Sequence, residues 1–241
     1  MFIDIVCVKF IYKVIFFNLF CMHHTIKNLL DIRNNIKTYL DELNIKNTPQ
    51  IIAVSKTFEI DKILPLINFG HLDFGENKVQ EAIKKWTEIK NKYMDIKLHM
   101  IGNLQTNKVK QAIKLFDFIH SLSSDKLAKK IATEQLSLNK KTKIFIQVNI
   151  DNEEQKNGVN PNDLYDLYYY CTVELRLDII GLMCIPSTKS DPKKSFFKMK
   201  NLADKLNLKE LSMGMSSDYL EAIDQGSTFI RVGSKIFGNR S

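Results

Sequence analysis

Eight short apolar segments alternate with amphipathic helical patterns along the chain from residue 24 onward. The strand candidates are 51–55, 72–76, 97–102, 116–122, 143–150, 177–185, 209–215 and 228–234. Continuous apolar strands, each followed by a helix, are typical of a parallel sheet that is covered on its faces. Eight such units predict a single α/β (β/α)8 barrel of the TIM type, with an open doubly wound sheet as the alternative.

A leading N-terminal helix precedes the first strand. Its apolar positions run from Ile26 to Leu43, and the sequence Asn47-Thr48-Pro49 ends it. No linker or change of composition marks a second domain, and 241 residues suit one barrel. We therefore expect residues 23–241 to form one barrel domain.

Residues 1–22 form an apolar extension whose status the sequence leaves open. The segment MFIDIVCVKFIYKVIFFNLFCM is interrupted by Asp4, Lys9, Lys13 and Asn18, so it is not a clean membrane span. It also lacks a small-residue cleavage site. It is an incidental extension before Met22, a targeting or membrane-associating segment, or an integral strand or helix. We expect no stable membrane insertion, and we expect residues 1–21 to be dispensable for ligand binding.

The net charge of +8 does not by itself predict a polyanionic partner. Lysines alternate with acids on helical segments, for example Lys84 and Lys85 with Glu81 and Glu88, which is typical of solvated helix faces. We expect no nucleic-acid binding. The cysteines show no metal-ligand spacing, and we expect a cytoplasmic protein because a reducing compartment suits free thiols.

Lys56 ends the first predicted strand, in the sequence AVSKT. Residues two apart share a strand face, so Ile52, Val54 and Lys56 point the same way. If that face is the barrel interior, the amine lies at the barrel mouth, where it can condense with an aldehyde. The alternative is a lysine that reaches solvent from the strand end.

Polar residues also follow the last two strands. In this fold class the loops after strands seven and eight often hold a phosphate group. Ser212 and Ser216 lie around the end of strand seven, and Gly233 and Ser234 follow strand eight, so all four offer hydroxyl or N–H donors. The alternative for Ser216 is that it caps the following helix.

Other strand ends carry polar residues with two interpretations each. Asn77 either contributes to a site or caps the next helix, and His99 is either functional or a satisfied core residue. Gln147 and Asn149 either line a polar site or anchor loops, because buried amides need hydrogen-bond partners.

At these residues the sequence resembles the pyridoxal phosphate homeostasis protein family, single-barrel relatives of the alanine racemase N-terminal domain. The matching stretches are AVSKT (53–57), FGENKVQE (74–81), HMIGNLQTNK (99–108), IQVNID (146–151), GLMCIP (181–186) and LSMGMSSDYLEAIDQGSTFIRVGSKIFGNR (211–240). They cover nearly all of the chain after residue 50. Lys78 departs from the family pattern, where a tyrosine is common.

The resemblance implies pyridoxal 5′-phosphate (PLP) as the cofactor, bound as a Schiff base on Lys56 with Asn77 nearby. It implies that Ser212, Ser216, Gly233 and neighbouring N–H groups hold the phosphate. It also implies that Arg231 faces the pyridine nitrogen.

The resemblance further implies a protein that carries or buffers PLP without defined turnover, with PLP-dependent apo-enzymes as possible recipients. A PLP-dependent racemase or decarboxylase is the main alternative. A racemase needs a second acid/base, which alanine racemases supply from a further domain, and a decarboxylase would place a carboxylate where Arg231 is expected. A cofactor-free Schiff-base aldolase would not need a phosphate site.

Overall fold

The computed structural model of the protein describes residues 22–153 and 155–238. The predicted extension, residues 1–22, therefore lies outside the described residues except for Met22. Cys7 and Cys21 also lie outside the described residues.

Eight parallel strands close into a barrel in the order of the sequence. They are β1 (Gln50–Val54), β2 (Asp73–Glu76), β3 (Lys97–Met100), β4 (Phe118–Leu122), β5 (Lys143–Gln147), β6 (Ile179–Met183), β7 (Glu210–Met215) and β8 (Phe229–Val232). The first and last strands pair from Gln50 opposite Phe229 to Ala53 opposite Val232, which closes the sheet. The predicted (β/α)8 barrel is confirmed, and the open doubly wound alternative is wrong.

Helices follow the strands on the outside of the barrel. They are α1 (His24–Glu42), α2 (Ile60–Asn68), α3 (Val79–Lys92), α4 (Val109–Leu115), α5 (Asp125–Leu138), α6 (Leu164–Tyr169), α7 (Pro192–Lys205), α8 (Tyr219–Asp224) and α9 (Ser234–Phe237). A 3-10 turn (Thr106–Lys108) precedes α4, and a π turn (Tyr170–Glu174) follows α6. The leading helix α1 is as expected, whereas α9 is too short to be seen from periodicity.

Side chains alternate between the inner and outer faces of each strand, and this alternation produces two separate apolar cores. Outward-facing residues pack under the helices; for example, Phe74 contacts Trp86 of α3 with ring centroids 4.9 Å apart. Inward-facing residues fill the barrel, and their apolar members are Ile52, Phe118, Phe145, Met183 and Phe229. Because this interior is packed, a ligand can enter only above it, at the ends of the strands.

Helix α1 packs beside the segment that follows β8. The Asn28 Nδ2 donates to the Ile236 carbonyl oxygen at 2.9 Å, which ties α1 to α9. This contact anchors the segment that follows β8, where the sequence predicted part of the ligand site.

Candidate functional site

A cavity of about 560 Å³ lies at the carboxyl ends of the strands. Its lining residues are Val54, Lys56, Phe58, Asn77, Ile101, Ile185, Met215, Ser216, Ser217, Arg231, Gly233, Ser234 and Gly238. Six of the seven predicted site residues are among them, and Ser212 is not. The volume falls in the range of small-molecule sites, and the lining combines apolar side chains with a few polar groups.

Lys56 lies two residues beyond β1, in a loop that is held on both sides. Before it, the Ser55 carbonyl oxygen accepts a hydrogen bond from Lys85 Nζ at 2.9 Å. After it, the Thr57 N–H donates to Glu81 Oε1 at 2.6 Å. Helix α3 thus positions the backbone of Lys56 through Lys85 and Glu81.

The loop conformation is unusual at Thr57, which has a φ of 67°. A β-branched residue in the left-handed region is strained and persists only when its surroundings hold it. The bond to Glu81 is such a restraint. Burial would raise the pKa of Glu81, but the Thr57 N–H and Lys85 outweigh it and lower that pKa, which keeps the carboxylate charged.

Glu76, at the end of β2, joins this network beneath the loop. Its Oε1 accepts from Ser55 Oγ at 2.7 Å, from Trp86 Nε1 at 2.9 Å and from Lys85 Nζ at 3.0 Å. Glu76 is completely buried, and its Oε2 has no hydrogen-bond partner among the described residues. Lys85 is therefore the cation that compensates a buried carboxylate.

Asn77 is the first residue after β2 and lines the cavity. It does not cap α3, because that helix begins at Val79 and Lys78 occupies the N-cap position. The capping interpretation is therefore wrong. Gly102 packs against the Asn77 backbone, and a Cβ at Gly102 would collide with the Asn77 carbonyl oxygen. Glycine at position 102 thus allows the Asn77 loop to lie at the barrel mouth.

Ser216 joins the loops after β7 and β8. Its Oγ accepts hydrogen bonds from the Gly233 N–H at 3.3 Å and from the Lys235 N–H at 3.5 Å. Helix α8 is preceded by Asp218, so Ser216 is not its cap. Ser234 is exposed and begins α9. These residues bring hydroxyl and backbone N–H donors to one wall of the cavity.

Arg231 contributes a guanidinium to the same cavity although it is only 4% exposed. Its Nη1 donates to Ser212 Oγ at 2.7 Å and its Nη2 donates to the Cys184 carbonyl oxygen at 2.9 Å. Burial lowers the pKa of Arg231, but arginine starts so high that the group stays protonated. No ion pair within the described part of the chain involves Arg231, so it does not pair with a wall carboxylate.

Ser212 differs from its expected role. It is completely buried in β7, and its hydroxyl contacts Arg231 and His120 rather than the cavity. The reason is its height in the barrel, because Ser212 pairs with Phe229 of the packed interior and so lies below the residues that line the mouth. Its place in the structure is that of a support for Arg231.

The remaining polar strand residues have structural partners. Gln147 Nε2 donates to the Asn157 carbonyl oxygen at 3.0 Å, and Asn149 Nδ2 donates to the Glu153 carbonyl oxygen at 2.8 Å, so both amides anchor the loop after β5. His99 is a fully buried residue with hydrogen-bond partners on both ring nitrogens.

The sequence patterns did not predict that several further residues support the site. Glu81 and Lys85 are four apart on α3, a spacing that suggested only a solvated helix face. Asp73 and His120 occupy inward-facing strand positions beneath the cavity. Strand parity could have identified both as interior polar residues.

A larger cavity of about 950 Å³ lies at the opposite end of the barrel, lined by α1 and by residues before and at the start of β1 and β2. In this fold class ligands bind at the carboxyl ends of the strands. The predicted site residues also gather there. We therefore assign the functional site to the smaller cavity.

No helix within 22–153 and 155–238 is long and apolar enough to cross a membrane. The same residues contain no group of three or more side chains arranged to hold a metal ion. Cys171 and Cys184 are buried free thiols, and burial raises the pKa of each to about 12.

The fold and the cavity define a single-barrel protein of the alanine racemase N-terminal-domain class. Residues 28–241 match the family described as "Alanine racemase, N-terminal domain". A pyridoxal phosphate homeostasis protein from Aquifex aeolicus (strain VF5) is 38% identical over 205 residues, which cover 81% of this chain and 89% of that protein. The chain belongs to the pyridoxal phosphate homeostasis protein family.

Solved structures show the same relationship. PipY of Synechococcus elongatus PCC7942 with PLP bound is 34% identical, with a TM-score of 0.74, covering 84% of this chain and all of that chain. Alanine racemase of Clostridium difficile 630 is 17% identical, with a TM-score of 0.68, covering 90% of this chain and 57% of that chain. The racemase likeness concerns the fold alone.

Proposed function

We propose that this protein binds PLP as a Schiff base on Lys56 and carries or buffers the cofactor in PLP homeostasis. The observation that carries the proposal is the shared cavity of Lys56, Arg231 and the donors around Ser216. PLP carries an aldehyde, a pyridine nitrogen and a phosphate, and the cavity offers a group suited to each. The PLP-bound PipY structure, at 34% identity, supports the same assignment.

The residues have distinct roles in this proposal. Ser216, Gly233 and Ser234 hold the phosphate, since hydroxyl and backbone N–H donors form strong charge-assisted hydrogen bonds with anions. Arg231 would donate to the pyridine nitrogen, and Asn77 would contribute to the wall of the cavity that it lines. Ser212 is not one of the residues that we propose to bind the phosphate, because its hydroxyl is already hydrogen-bonded to Arg231 and His120.

PLP, when bound, would supply an aldehyde, and Lys56 would hold it through its amine. The protein's part is to present the amine. The bonds from Lys85 and Glu81 to the residues on either side of Lys56 restrict the loop, and a restricted loop loses less entropy on binding.

We propose that this site is not that of an efficient amino-acid racemase. Besides Lys56 and Arg231, no acid–base side chain is found among the described residues that line the cavity. Arginine is a poor proton source for the pyridine nitrogen, so the ring would be a weak electron sink. A racemase that works with such a weak sink needs a second acid/base.

The cellular part of the proposal follows from the carrier role. The protein would act in the cytoplasm, where the buried thiols of Cys171 and Cys184 suit a reducing environment. PLP-dependent apo-enzymes would be the recipients of the cofactor. Transfer can be measured by mixing the PLP-loaded protein with a PLP-dependent apo-enzyme and recording the activity that the apo-enzyme recovers. The control is the same apo-enzyme mixed with free PLP at equal concentration.

The primary test is an absorbance spectrum of the purified, PLP-loaded protein before and after borohydride reduction, followed by peptide mapping. We expect one reduced pyridoxyl group, on Lys56. The variant Lys56→Ala should lose it, whereas Lys84→Ala, which changes an exposed lysine of α3, should keep it. Labelling of another lysine, or of none, would contradict the proposal. Turnover of an amino acid at about 1 per second or faster would favour the racemase or decarboxylase alternative.

A further inference from the structure

Five buried polar side chains form a continuous hydrogen-bonded chain across the barrel interior. They come from β2, β3, β4, β7 and β8 and are Asp73, His99, His120, Ser212 and Arg231. Asp73 is the first residue of β2, at the amino-terminal end of the barrel, whereas Arg231 lines the cavity at the other end. The chain therefore connects the two ends of an otherwise apolar, aromatic interior.

Every link in the chain has hydrogen-bond length. His99 Nε2 lies 3.0 Å from Asp73 Oδ1, and His99 Nδ1 lies 3.0 Å from His120 Nε2. His120 Nδ1 lies 2.8 Å from Ser212 Oγ, which accepts from Arg231 Nη1 at 2.7 Å.

The direction of the chain follows from its two ends, because the Asp73 carboxylate can only accept and the Arg231 guanidinium can only donate. His99 therefore carries its proton on Nε2 and donates to Asp73, which leaves Nδ1 of a neutral ring bare. This Nδ1 accepts from His120 Nε2, so Nδ1 of His120 is bare as well. Ser212 donates its hydroxyl hydrogen to that Nδ1 and accepts from Arg231.

The surroundings keep both histidines neutral. Each is fully buried; His99 stacks on Phe118 and His120 stacks on Phe145, with ring centroids 4.3 Å apart in both pairs. Burial lowers the pKa of His99, an effect that the hydrogen bond to Asp73 only partly offsets. Burial, with His99 and Arg231 nearby, lowers the pKa of His120 well below its usual value.

We propose that Asp73, His99, His120 and Ser212 are positioning residues that hold the Arg231 guanidinium as a donor to the pyridine nitrogen of PLP. The inference rests on the proposed function. Ser212 and the Cys184 carbonyl oxygen engage only two of the five N–H donors of Arg231, and Arg231 borders the cavity, so others can face the ligand. Oriented hydrogen bonds polarise one another in a buried chain, so the charge of Asp73 reaches the site through the two histidines.

The first test uses the wild-type protein without cofactor and records the ¹⁵N resonances of its histidines at neutral pH. We expect His99 and His120 to be neutral, with the proton on Nε2 and a bare Nδ1 in both rings. A proton on Nδ1 of either ring would overturn the proposed direction. This measurement needs no variant and no PLP binding.

The second test compares the ring-nitrogen resonance of ¹⁵N-labelled PLP and the Schiff-base absorbance in three variants. Ser212→Ala removes the contact to Arg231, and Asp73→Asn removes the distant charge while it keeps the shape. Cys171→Ala is the matched control, since it trims a buried thiol that belongs to the outer core and not to the barrel interior. We expect the first two to shift the ring-nitrogen resonance and Cys171→Ala to leave it unchanged.

The outcomes separate this inference from the proposed function. We expect Ser212→Ala to weaken PLP binding by about tenfold, and Ser212→Thr, which keeps a hydroxyl, to restore the wild-type resonance. Folded Ser212→Ala and Asp73→Asn proteins with the wild-type resonance would overturn the positioning role alone. A wild-type protein that binds no PLP would overturn the proposed function and, with it, this inference.

Discussion

The N–H of Thr57 donates a hydrogen bond to Glu81 Oε1 at 2.6 Å, so helix α3 holds the residue that follows Lys56. Lys85, one turn further along α3, holds the residue before it. The proposed Schiff-base lysine is therefore presented by a loop that helix α3 holds on both sides. The first two predictions concern this arrangement.

Replacing Lys85 by methionine should destabilise the protein by about 3 kcal/mol, because it leaves the completely buried Glu76 without its cation. Urea denaturation measures the loss. Lys84→Met, on the exposed side of the same helix, should have little effect. Adding Glu76→Gln to Lys85→Met should recover part of the loss, since Gln keeps an oxygen acceptor for Ser55 and Trp86 without the charge. A double variant less stable than Lys85→Met would contradict the ion-pair explanation.

Thr57→Gly should stabilise the ligand-free protein by about 1 kcal/mol, since the release of strain outweighs the flexibility that glycine adds to the unfolded chain. The same change should weaken PLP binding, because the Lys56 loop becomes less ordered. Thermal unfolding and PLP titration measure the two effects. Asn139→Gly is the control, since Asn139 has a φ of 47° but lies in the turn after α5 and asparagine tolerates that conformation. Lower stability of Thr57→Gly would show that Thr57 is not strained.

Ser216→Ala should reduce the affinity for PLP by about tenfold and leave the affinity for pyridoxal, which lacks the phosphate, unchanged. The reason is that Ser216 lies with the Gly233 N–H on the wall proposed to hold the phosphate. Titrations of both proteins with both ligands form a cycle in which pyridoxal is the internal control. Equal losses for the two ligands would place the phosphate elsewhere.

The free energy of unfolding should fall as the pH is lowered from about 6.5 to 5. Burial lowers the pKa of His71 to about 4 and also lowers the pKa values of His99 and His120. In the unfolded chain these histidines bind protons near pH 6.5, whereas in the folded protein they bind them only at lower pH. Between these two pH values protonation therefore stabilises the unfolded state relative to the folded state. Each contributes a slope of up to about 1.4 kcal/mol per pH unit.

The variant His71→Gln provides the check on that slope. Denaturation at a series of pH values should show a shallower decline, by up to about 1.4 kcal/mol per pH unit, because one proton fewer is taken up on unfolding. The Gln side chain can still donate to the Asp73 carbonyl oxygen that His71 Nε2 contacts at 2.9 Å. An unchanged slope would mean that His71 is protonated in the folded protein as readily as in the unfolded one.

Local sequence patterns were sufficient to predict the barrel, because the identity of a strand or helix depends on the spacing of apolar residues along the chain. All eight strand candidates overlap an observed strand, and seven of them contain it completely; the exception is 51–55, because β1 begins one residue earlier, at Gln50. Most candidates extend past the ends of the observed strand. For example, the predicted strand 143–150 ends at Gln147, because the backbone of Val148 and Asn149 turns to meet Val159. The spacing of apolar residues does not predict which distant segment a loop will hydrogen-bond to.

The same reasoning brought Lys56, Asn77, Ser216, Arg231, Gly233 and Ser234 to one end of the molecule, since the carboxyl ends of parallel strands share one face. The sequence patterns did not predict how high each inward-facing residue lies along the barrel axis. Ser212 and Arg231 both face inward, but only Arg231 borders the cavity, because the height of a residue inside the barrel depends on strand tilt and register.

The sequence by itself therefore determined the fold class and brought the proposed Schiff-base lysine and the residues around Ser216 to one end of the barrel. Only the tertiary structure decided how those groups are supported. Glu81 and Lys85 hold the Lys56 loop, and the chain from Asp73 to Arg231 joins five strands that are separated by up to 158 positions in sequence. Such contacts depend on closure of the barrel, which brings together residues whose spacing along the chain carries no periodic pattern.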